Sequence, residues 1–210
     1  ISEVGMETQT SMVSLGFTSE KAPAGTHMCL VFTKEEERVD ALLKFLLSGL
    51  EEDERCAAFT EKLTEGDLRD YLEKNNISYD ERKESDAISL SGTNDVYFPN
   101  GSFEPERMLG LLTAYYKEAK ELGFKNARVI GEMEPKVETI PGGERLLEYE
   151  SKVTLLVREF PITAICQYDA TRFSGGVIME VLKVHPKMIV NGAVVQNPFF
   201  IEPEEYLAEI

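Results

Sequence analysis

Short apolar runs alternate with stretches of helical periodicity from residue 25 onward. The segment 29–50, CLVFTKEEERVDALLKFLLSGL, shows the scheme: an apolar run predicts a buried strand at 27–32, and apolar residues three and four apart predict a helix at 35–50. The same alternation predicts further strands at 55–60, 87–90, 127–134 and 163–169. Helices are predicted at 64–76, 103–122, 144–160 and 174–186, and a final strand pair at 187–190 and 193–196.

Local signals mark several of these boundaries. Thr64 with Asp67 three residues later is typical of a helix cap, and Pro105 and Gly123 are typical of a helix start and end. Asn191-Gly192 predicts a tight hairpin. The helix after Pro105 has a predicted apolar face of Met108, Leu111, Leu112, Tyr115, Ala119 and Leu122.

Strands separated by helices of this length predict βαβ units and a mostly parallel sheet, that is, an α/β three-layer sandwich. The alternation begins at Gly25. Residues 1–24 are weakly patterned and rich in Ser, Thr and Glu, which predicts an N-terminal arm or connector with at most one short helix. We therefore expect an arm at 1–24 and a single domain at 25–210.

Charge and cysteine content exclude several classes of function. The net charge of −16 repels nucleic-acid phosphates and anionic lipids, so neither is an expected partner. No apolar stretch approaches the length of a membrane span. The three cysteines are far apart and form no CxxC pair, which favours reduced thiols and a cytoplasmic location.

The turn after the first predicted strand is where a phosphate cradle would lie. No glycine occurs between Gly25 and Gly49, whereas a P-loop needs glycines that expose backbone N–H groups. Three glutamates at 35–37 instead occupy the first turn of the helix, where each contributes about 0.3–1 kcal/mol through the helix dipole. These carboxylates would repel a phosphate, so no nucleotide cofactor is expected.

Two segments resemble one known family. GTHMCLVFTKEEERVDALLKFLLSGLEEDE and CQYDATRFSGGVIMEVLKVHPKMIVNG resemble the start and end of the MEDS domain, the methanogen/methylotroph DcmR sensory domain, and the resemblance extends over about 25–200. It implies a RecA/KaiC-like fold without nucleotide motifs. It also implies that the first strand lies between the fourth and fifth, so that Cys29 would neighbour both Cys166 and the strand RVIGE.

Ligands of open parallel sheets bind beyond the carboxyl ends of the strands. The side chains that we expect at this edge are Phe32, Thr33, Glu132, Gln167, Tyr168 and Asp169. Tyr168 combines an apolar ring with a polar tip and suits a small organic molecule, although plain packing is the alternative.

The chain has only two histidines, His27 and His185. His27 and Cys29 lie two apart, so both side chains face one side of a strand. A metal site would need further ligands such as Cys166 and His185, whereas a buried thiol and a core histidine need none. We favour the second interpretation and expect no metal. Because His27 opens a strand and His185 closes a helix, we expect them to meet at the amino edge; with Cys29 they remain candidate ligand-binding residues.

Together with the residues, the resemblance implies a non-enzymatic sensory or regulatory domain of prokaryotic signalling that binds a small organic molecule, of which a hydrocarbon derivative is one candidate. No Ser-His-Asp or Cys-His arrangement is indicated, and the many glutamates are predicted on exposed helix faces. The alternatives are a residual KaiC-like ATPase and a scaffold that binds only protein. A partner protein or domain is expected at the arm or at the sheet edge 188–196. The apolar tail 197–210 should pack on its own domain or on a second copy, as in a homodimer.

Overall fold

The computed structural model of the chain describes residues 11–210. The strands are β1 Met12–Ser14, β2 Lys21–Pro23, β3 His27–Phe32, β4 Arg55–Phe59, β5 Ile88–Ser91, β6 Ala127–Glu132, β7 Ile162–Asp169, β8 Lys187–Val190 and β9 Ala193–Gln196. The helices are α1 Glu35–Glu51, α2 Glu65–Lys74, α3 Tyr79–Glu84, α4 Thr93–Tyr97, α5 Pro105–Glu121, α6 Leu146–Glu159, α7 Gly175–Lys183 and α8 Pro203–Ala208. Two 3₁₀ turns, Pro135–Thr139 and Gly143–Arg145, lead into α6.

Seven strands form the central sheet in the order β5-β4-β6-β7-β3-β8-β9. Neighbours are parallel throughout, except that β8 and β9 form the antiparallel hairpin predicted from Asn191-Gly192. Both residues of that turn have positive φ, 48° and 76°, which Asn and Gly tolerate. The predicted α/β class with a mostly parallel sheet is confirmed.

The position of β3 differs from the expectation. Cys29 pairs with Cys166, as predicted, but β3 lies between β7 and β8 rather than beside the strand that contains RVIGE. The reason is that β7 pairs along one edge with β6 and along the other with β3, so it separates the two. The prediction that Cys29 lies next to β6 is therefore wrong.

Alternation of side chains along the strands divides the interior into two layers. One layer contains Ile165 and Leu30 and packs against α1, α2 and the β1–β2 hairpin. The other contains Tyr168 and Cys29 and packs against α5, α6 and α7. Neighbouring residues of β7 thus enter different layers, so polar residues on this strand are divided between two environments.

Residues 11–24 form an antiparallel hairpin, β1–β2, that packs on α1 and contains no helix; residues 1–10 lie outside the described part of the chain. Val13 and Leu15 are buried in the core. Gly16 approaches α1 so closely that a side chain there would overlap the Lys44 carbonyl oxygen. The absence of a helix from 11–24 is compatible with the prediction of at most one short helix in the arm. The division at residue 24 stays a prediction.

Several local predictions are confirmed and one needs correction. Thr64 and Asp67 form the expected capping box at the start of α2, and Pro105 is the first residue of α5. Leu111 and Leu122 were predicted on the apolar face of α5 but are 45% and 54% exposed. The face of α5 that is buried is narrower than the apolar face predicted from the sequence.

The tail packs on its own domain, as one of the two predicted alternatives. Pro203 and Tyr206 are buried, and Arg158 of α6 pairs with Glu202 and Glu204. Among the described residues, no helix combines the length and apolar character that crossing a membrane requires.

Candidate functional site

The carboxyl edge of the sheet is filled by a network around Arg38 of α1. Glu132, at the end of β6, accepts a hydrogen bond of 3.0 Å from Thr60 and lies 3.6 Å from the Arg38 guanidinium. Lys62 lies 3.5 Å from the other carboxylate oxygen of Glu132. Gln167 accepts from Arg38 at 3.4 Å and donates to the Arg38 carbonyl oxygen at 3.1 Å. Two of the predicted edge residues, Glu132 and Gln167, are therefore engaged with the chain's own cations.

The other predicted edge residues do not converge on one space. The Phe32 ring lies beneath the Arg38 guanidinium at 5.9 Å, and Thr33 is exposed on the turn. Asp169 accepts hydrogen bonds from the backbone N–H and the hydroxyl of Thr171, at 2.9 and 2.6 Å. Burial opposes ionisation of Asp169, but the two bonds from Thr171 prevail and lower its pKa. Asp169 thus shapes the turn after β7.

A second cluster lies on the opposite side of the sheet, under α6. His27 begins β3, Cys166 lies in β7, Glu150 lies in α6, and His185 lies between α7 and β8. One ligand-type atom from each of the four lies within 4.8 Å of the others. The Nε2 atoms of His27 and His185 are 3.3 and 3.4 Å from Glu150 Oε2. Cys166 Sγ is 3.4 Å from both His27 Nε2 and Glu150 Oε2.

Hydrogen bonds hold the ring orientations and the carboxylate of this cluster. His27 Nδ1 bonds Thr154 Oγ1 at 2.9 Å, and His185 Nδ1 bonds the Val181 carbonyl oxygen at 2.8 Å. The hydroxyl of Tyr168 donates to Glu150 Oε1. The two imidazole centroids are 4.4 Å apart. Side chains from four segments of the chain therefore converge on one small buried region.

Burial dominates the acid–base behaviour here. It lowers the pKa of His27 to about 4, with a further contribution from His185. Burial opposes ionisation of Glu150, but His185 and His27, in their protonated forms, outweigh it and hold the pKa of that carboxyl well below its ordinary value. Burial and the Glu150 carboxylate raise the pKa of Cys166 and of Tyr168 well above their ordinary values.

The structure brings His27 and His185 together, as expected, and joins Tyr168 to them. Cys29 is buried beside Cys166 but is outside the four-residue set, and burial raises its pKa to about 12. Glu150 was not among the residues predicted from the sequence, because the glutamates were expected on exposed helix faces. A signal was present, because Glu150 falls on the apolar stripe of α6 beside Leu146 and Val153.

A mostly apolar cavity of about 250 Å³ lies between α5 and the sheet. Its walls include Phe59, Met108, Leu112 and Val129. Tyr115 also lines it, and within residues 11–210 the buried hydroxyl of Tyr115 has no hydrogen-bond partner. None of the residues that we predicted for ligand binding contributes to these walls.

Comparison with known proteins confirms the family resemblance. The model of the MEDS family, described as the methanogen/methylotroph, DcmR sensory domain, matches residues 26–186. The transcriptional repressor DcmR of Methylorubrum extorquens is 31% identical over 91 residues, which are 43% of this chain. The match spans 34% of DcmR, about a third of that protein's length.

Two solved structures share the fold at low sequence identity. The KaiC-like protein PH0186 of Pyrococcus horikoshii has a TM-score of 0.59 at 17% identity, over 87% of this chain and 81% of its own. The flagellar accessory protein FlaH of Methanocaldococcus jannaschii has a TM-score of 0.63 at 10% identity, over 89% and 84%. The predicted KaiC/RecA-like architecture is therefore confirmed at the level of the fold.

Proposed function

This chain belongs to the MEDS family of sensory domains, and we propose that it detects a small organic molecule and relays the signal through protein contacts, without catalysis. Residues 25–210 would form the sensory unit, with the β1–β2 hairpin as a packed extension. The observation that carries the proposal is the apolar cavity between α5 and the sheet. Its volume, about 250 Å³, suits a ligand smaller than a nucleotide.

The chemistry of the cavity wall supports a mainly apolar ligand with one polar group. Phe59, Met108 and Leu112 offer apolar contact, and Tyr115, whose buried hydroxyl has no hydrogen-bond partner within residues 11–210, is the candidate polar contact. A buried hydroxyl without a partner is costly, so a ligand that supplies one gains affinity and orientation. This site replaces the carboxyl edge as the proposed ligand position.

The charged residues at the start of α1 argue against the alternative function, a residual ATPase. The first turn of this helix carries Glu35, Glu36 and Glu37, and the preceding Lys34 makes no side-chain cap. Arg38 and Lys62, which could otherwise meet phosphate, are engaged by Glu132. The electrostatics of this helix start therefore oppose a bound triphosphate.

Titration of ¹⁵N-labelled protein with cyclohexane, phenol and short-chain alcohols tests the ligand proposal. We expect saturable shifts of the Leu112, Tyr115 and Val129 amide signals with at least one compound, and none with ATP and Mg²⁺. The variant Ala114→Phe places a bulky ring in the cavity wall and should abolish the shifts. The control is Gly110→Phe on the same helix, where an added side chain meets open space.

Absence of a saturable response to every compound, or an unchanged response in Ala114→Phe, would reject this cavity as the sensor site. Saturable ATP shifts at the start of α1 would favour the ATPase alternative instead. A scaffold function would remain if neither class of compound bound.

For signal output we propose the edge strand β9 and its surroundings. Val190, Val195 and Phe199 are 41%, 37% and 51% exposed, and within residues 11–210 β9 ends the sheet with one unpaired edge. In a homodimer, the β9 strands of two copies would pair with each other across a two-fold axis. A partner protein would instead pair one of its own strands with the same edge of β9. Sedimentation should detect a concentration-dependent dimer that Val195→Lys abolishes. Monomers at high concentration would contradict the homodimer.

A further inference from the structure

The cluster under α6 has the composition of a metal site. We propose that His27, Glu150, Cys166 and His185 bind one divalent transition-metal ion, with Zn²⁺ as the ion that best matches two imidazoles, a thiolate and a carboxylate. This goes beyond the small-molecule proposal, does not depend on it, and reverses our expectation from the sequence that no metal binds.

The spacing of the donor atoms fits tetrahedral coordination. Zinc bonds of about 2.0–2.3 Å to N, O and S place neighbouring ligand atoms roughly 3.3–3.6 Å apart. The two imidazole Nε2 atoms are 3.3 and 3.4 Å from Glu150 Oε2, and Cys166 Sγ is 3.4 Å from that oxygen. The His27 Nε2 to Cys166 Sγ distance is also 3.4 Å. Four of the six donor–donor distances of a tetrahedral site therefore already have the length that zinc requires.

The tautomers of both histidines direct lone pairs to the centre. The Val181 carbonyl can only accept, so His185 Nδ1 carries a proton and its neutral ring has a lone pair on Nε2. Thr154 can donate its hydroxyl to the Val184 carbonyl oxygen at 3.4 Å, and Oγ1 then accepts from His27 Nδ1 in the tautomer that metal binding requires. Such outer hydrogen bonds are the usual way in which metal-bound histidines are oriented.

One atom of the cluster lacks any partner within the described chain. His185 Nε2 is fully buried and, although it lies 3.4 Å from Glu150 Oε2, it makes no hydrogen bond with residues 11–210. Electron-pair donors of His27, His185 and Glu150 therefore face each other across a few ångströms. A cation at the centre would convert this repulsion into coordination, and it would satisfy the orphaned nitrogen.

The charge of the set also selects a divalent ion. Two neutral imidazoles, one carboxylate and one thiolate carry a charge of −2, which M²⁺ neutralises in a buried site. On binding, the Sγ–H bond of Cys166 breaks, the sulfur pair bonds the metal, and the proton leaves to solvent. Tyr168 donates to Glu150 Oε1 and leaves Oε2 for the ion. Four protein ligands leave no open position, so the site is structural.

A surface depression of about 250 Å³ lies beside the cluster at the amino edge of the sheet. His27 and Thr154 line it, and its wall also includes Lys187 and the paired side chains of Arg158 and Glu202. A bound ion would tie β3, β7, α6 and the α7–β8 connection together, and these segments are distant in the chain. Metal binding would therefore stabilise the folded state over the unfolded chain.

Chelator-treated full chain titrated with ZnCl₂ in a calorimeter tests the proposal. We expect one equivalent to bind and the melting temperature to rise. Cys166→Ser and His185→Gln should each weaken zinc binding at least tenfold, and Tyr168→Phe, which keeps all four ligands, should weaken it about 10–100-fold. The matched control is Cys29→Ser, the adjacent thiol outside the set, which should bind zinc as the original chain does.

Cobalt(II) provides a readout that needs no variant. A tetrahedral site with a thiolate ligand gives intense visible bands and a sulfur-to-cobalt charge-transfer band, whereas aqueous cobalt gives neither. Circular dichroism checks that each variant is folded. The proposal is overturned if the folded chain takes up no stoichiometric zinc, if its cobalt spectrum lacks the charge-transfer band, or if folded Cys166→Ser retains full affinity.

Discussion

The two sides of the central sheet bury polar clusters of opposite character. On the α1 side, Arg128 donates to both carboxylate oxygens of Glu54 at 2.7 Å, and it also reaches Ser48 and the Phe45 carbonyl oxygen. On the same side, the Arg38 network likewise contains two cations, Arg38 and Lys62, which face Glu132. On the α6 side, Glu150 faces two imidazole nitrogens and a thiol, and no Lys or Arg pairs with it among the described residues.

The contrast between the two clusters indicates which buried polar groups can receive a ligand. A guanidinium that donates to a carboxylate satisfies both groups, so the Arg128–Glu54 pair needs nothing from solvent. In the Arg38 network, Glu132 Oε1 makes no hydrogen bond within residues 11–210, but Lys62 lies 3.5 Å away and supplies a positive charge. A set of electron-pair donors without a cation is incomplete and gains free energy from an added positive ion. Burial alone is shared by both clusters and therefore identifies neither as a site.

The largest expected effect comes from removing the internal cation of the α1 side. Arg128→Met leaves the Glu54 carboxylate buried, 1% exposed, without its partner. Breaking a buried pair on one side costs about 3–5 kcal/mol, so the free energy of unfolding should fall by that amount in urea titrations. The double variant Arg128→Met/Glu54→Leu should recover much of the loss. A single variant as stable as the original chain would contradict the comparison.

A smaller and more selective effect is expected from matched Glu→Gln changes. Glu132→Gln removes the charge that Arg38 and Lys62 face and should lower the free energy of unfolding by about 1.5–3 kcal/mol, equally with and without zinc. Glu150→Gln should instead lose the zinc-dependent stabilisation, which is about 2.7 kcal/mol for the original chain at a zinc concentration of 100 times Kd.

Urea titrations of both variants in chelator and in zinc measure the pair. If zinc stabilised Glu150→Gln as much as the original chain, the α6-side cluster would not be a metal site. If Glu132→Gln lost its response to zinc, the two clusters would not be independent.

The sequence predicted those parts of the fold that depend on near neighbours. The period of apolar residues located β3 and α1 to within a residue, because burial of one helix face and of a short strand imposes that spacing. The Thr64 cap and the Asn191-Gly192 hairpin were predictable because each depends on the backbone chemistry of a few consecutive residues. The glycine-free turn before α1 likewise excluded a P-loop directly.

Which distant segments come into contact could be read only from the folded chain. The order of the strands placed β3 beside β7 and β8, which no local pattern specifies. Glu150 belongs with His27 and His185 because α6 packs across β3 and β7, whereas its sequence neighbours show only that it lies on a buried face. Tyr115 was predicted on the apolar face of its helix, but the cavity beside it was not predictable, since a cavity is a property of packing between α5 and the sheet. Local chemistry is set by consecutive residues, but a site is assembled from residues that chain folding brings together from distant positions.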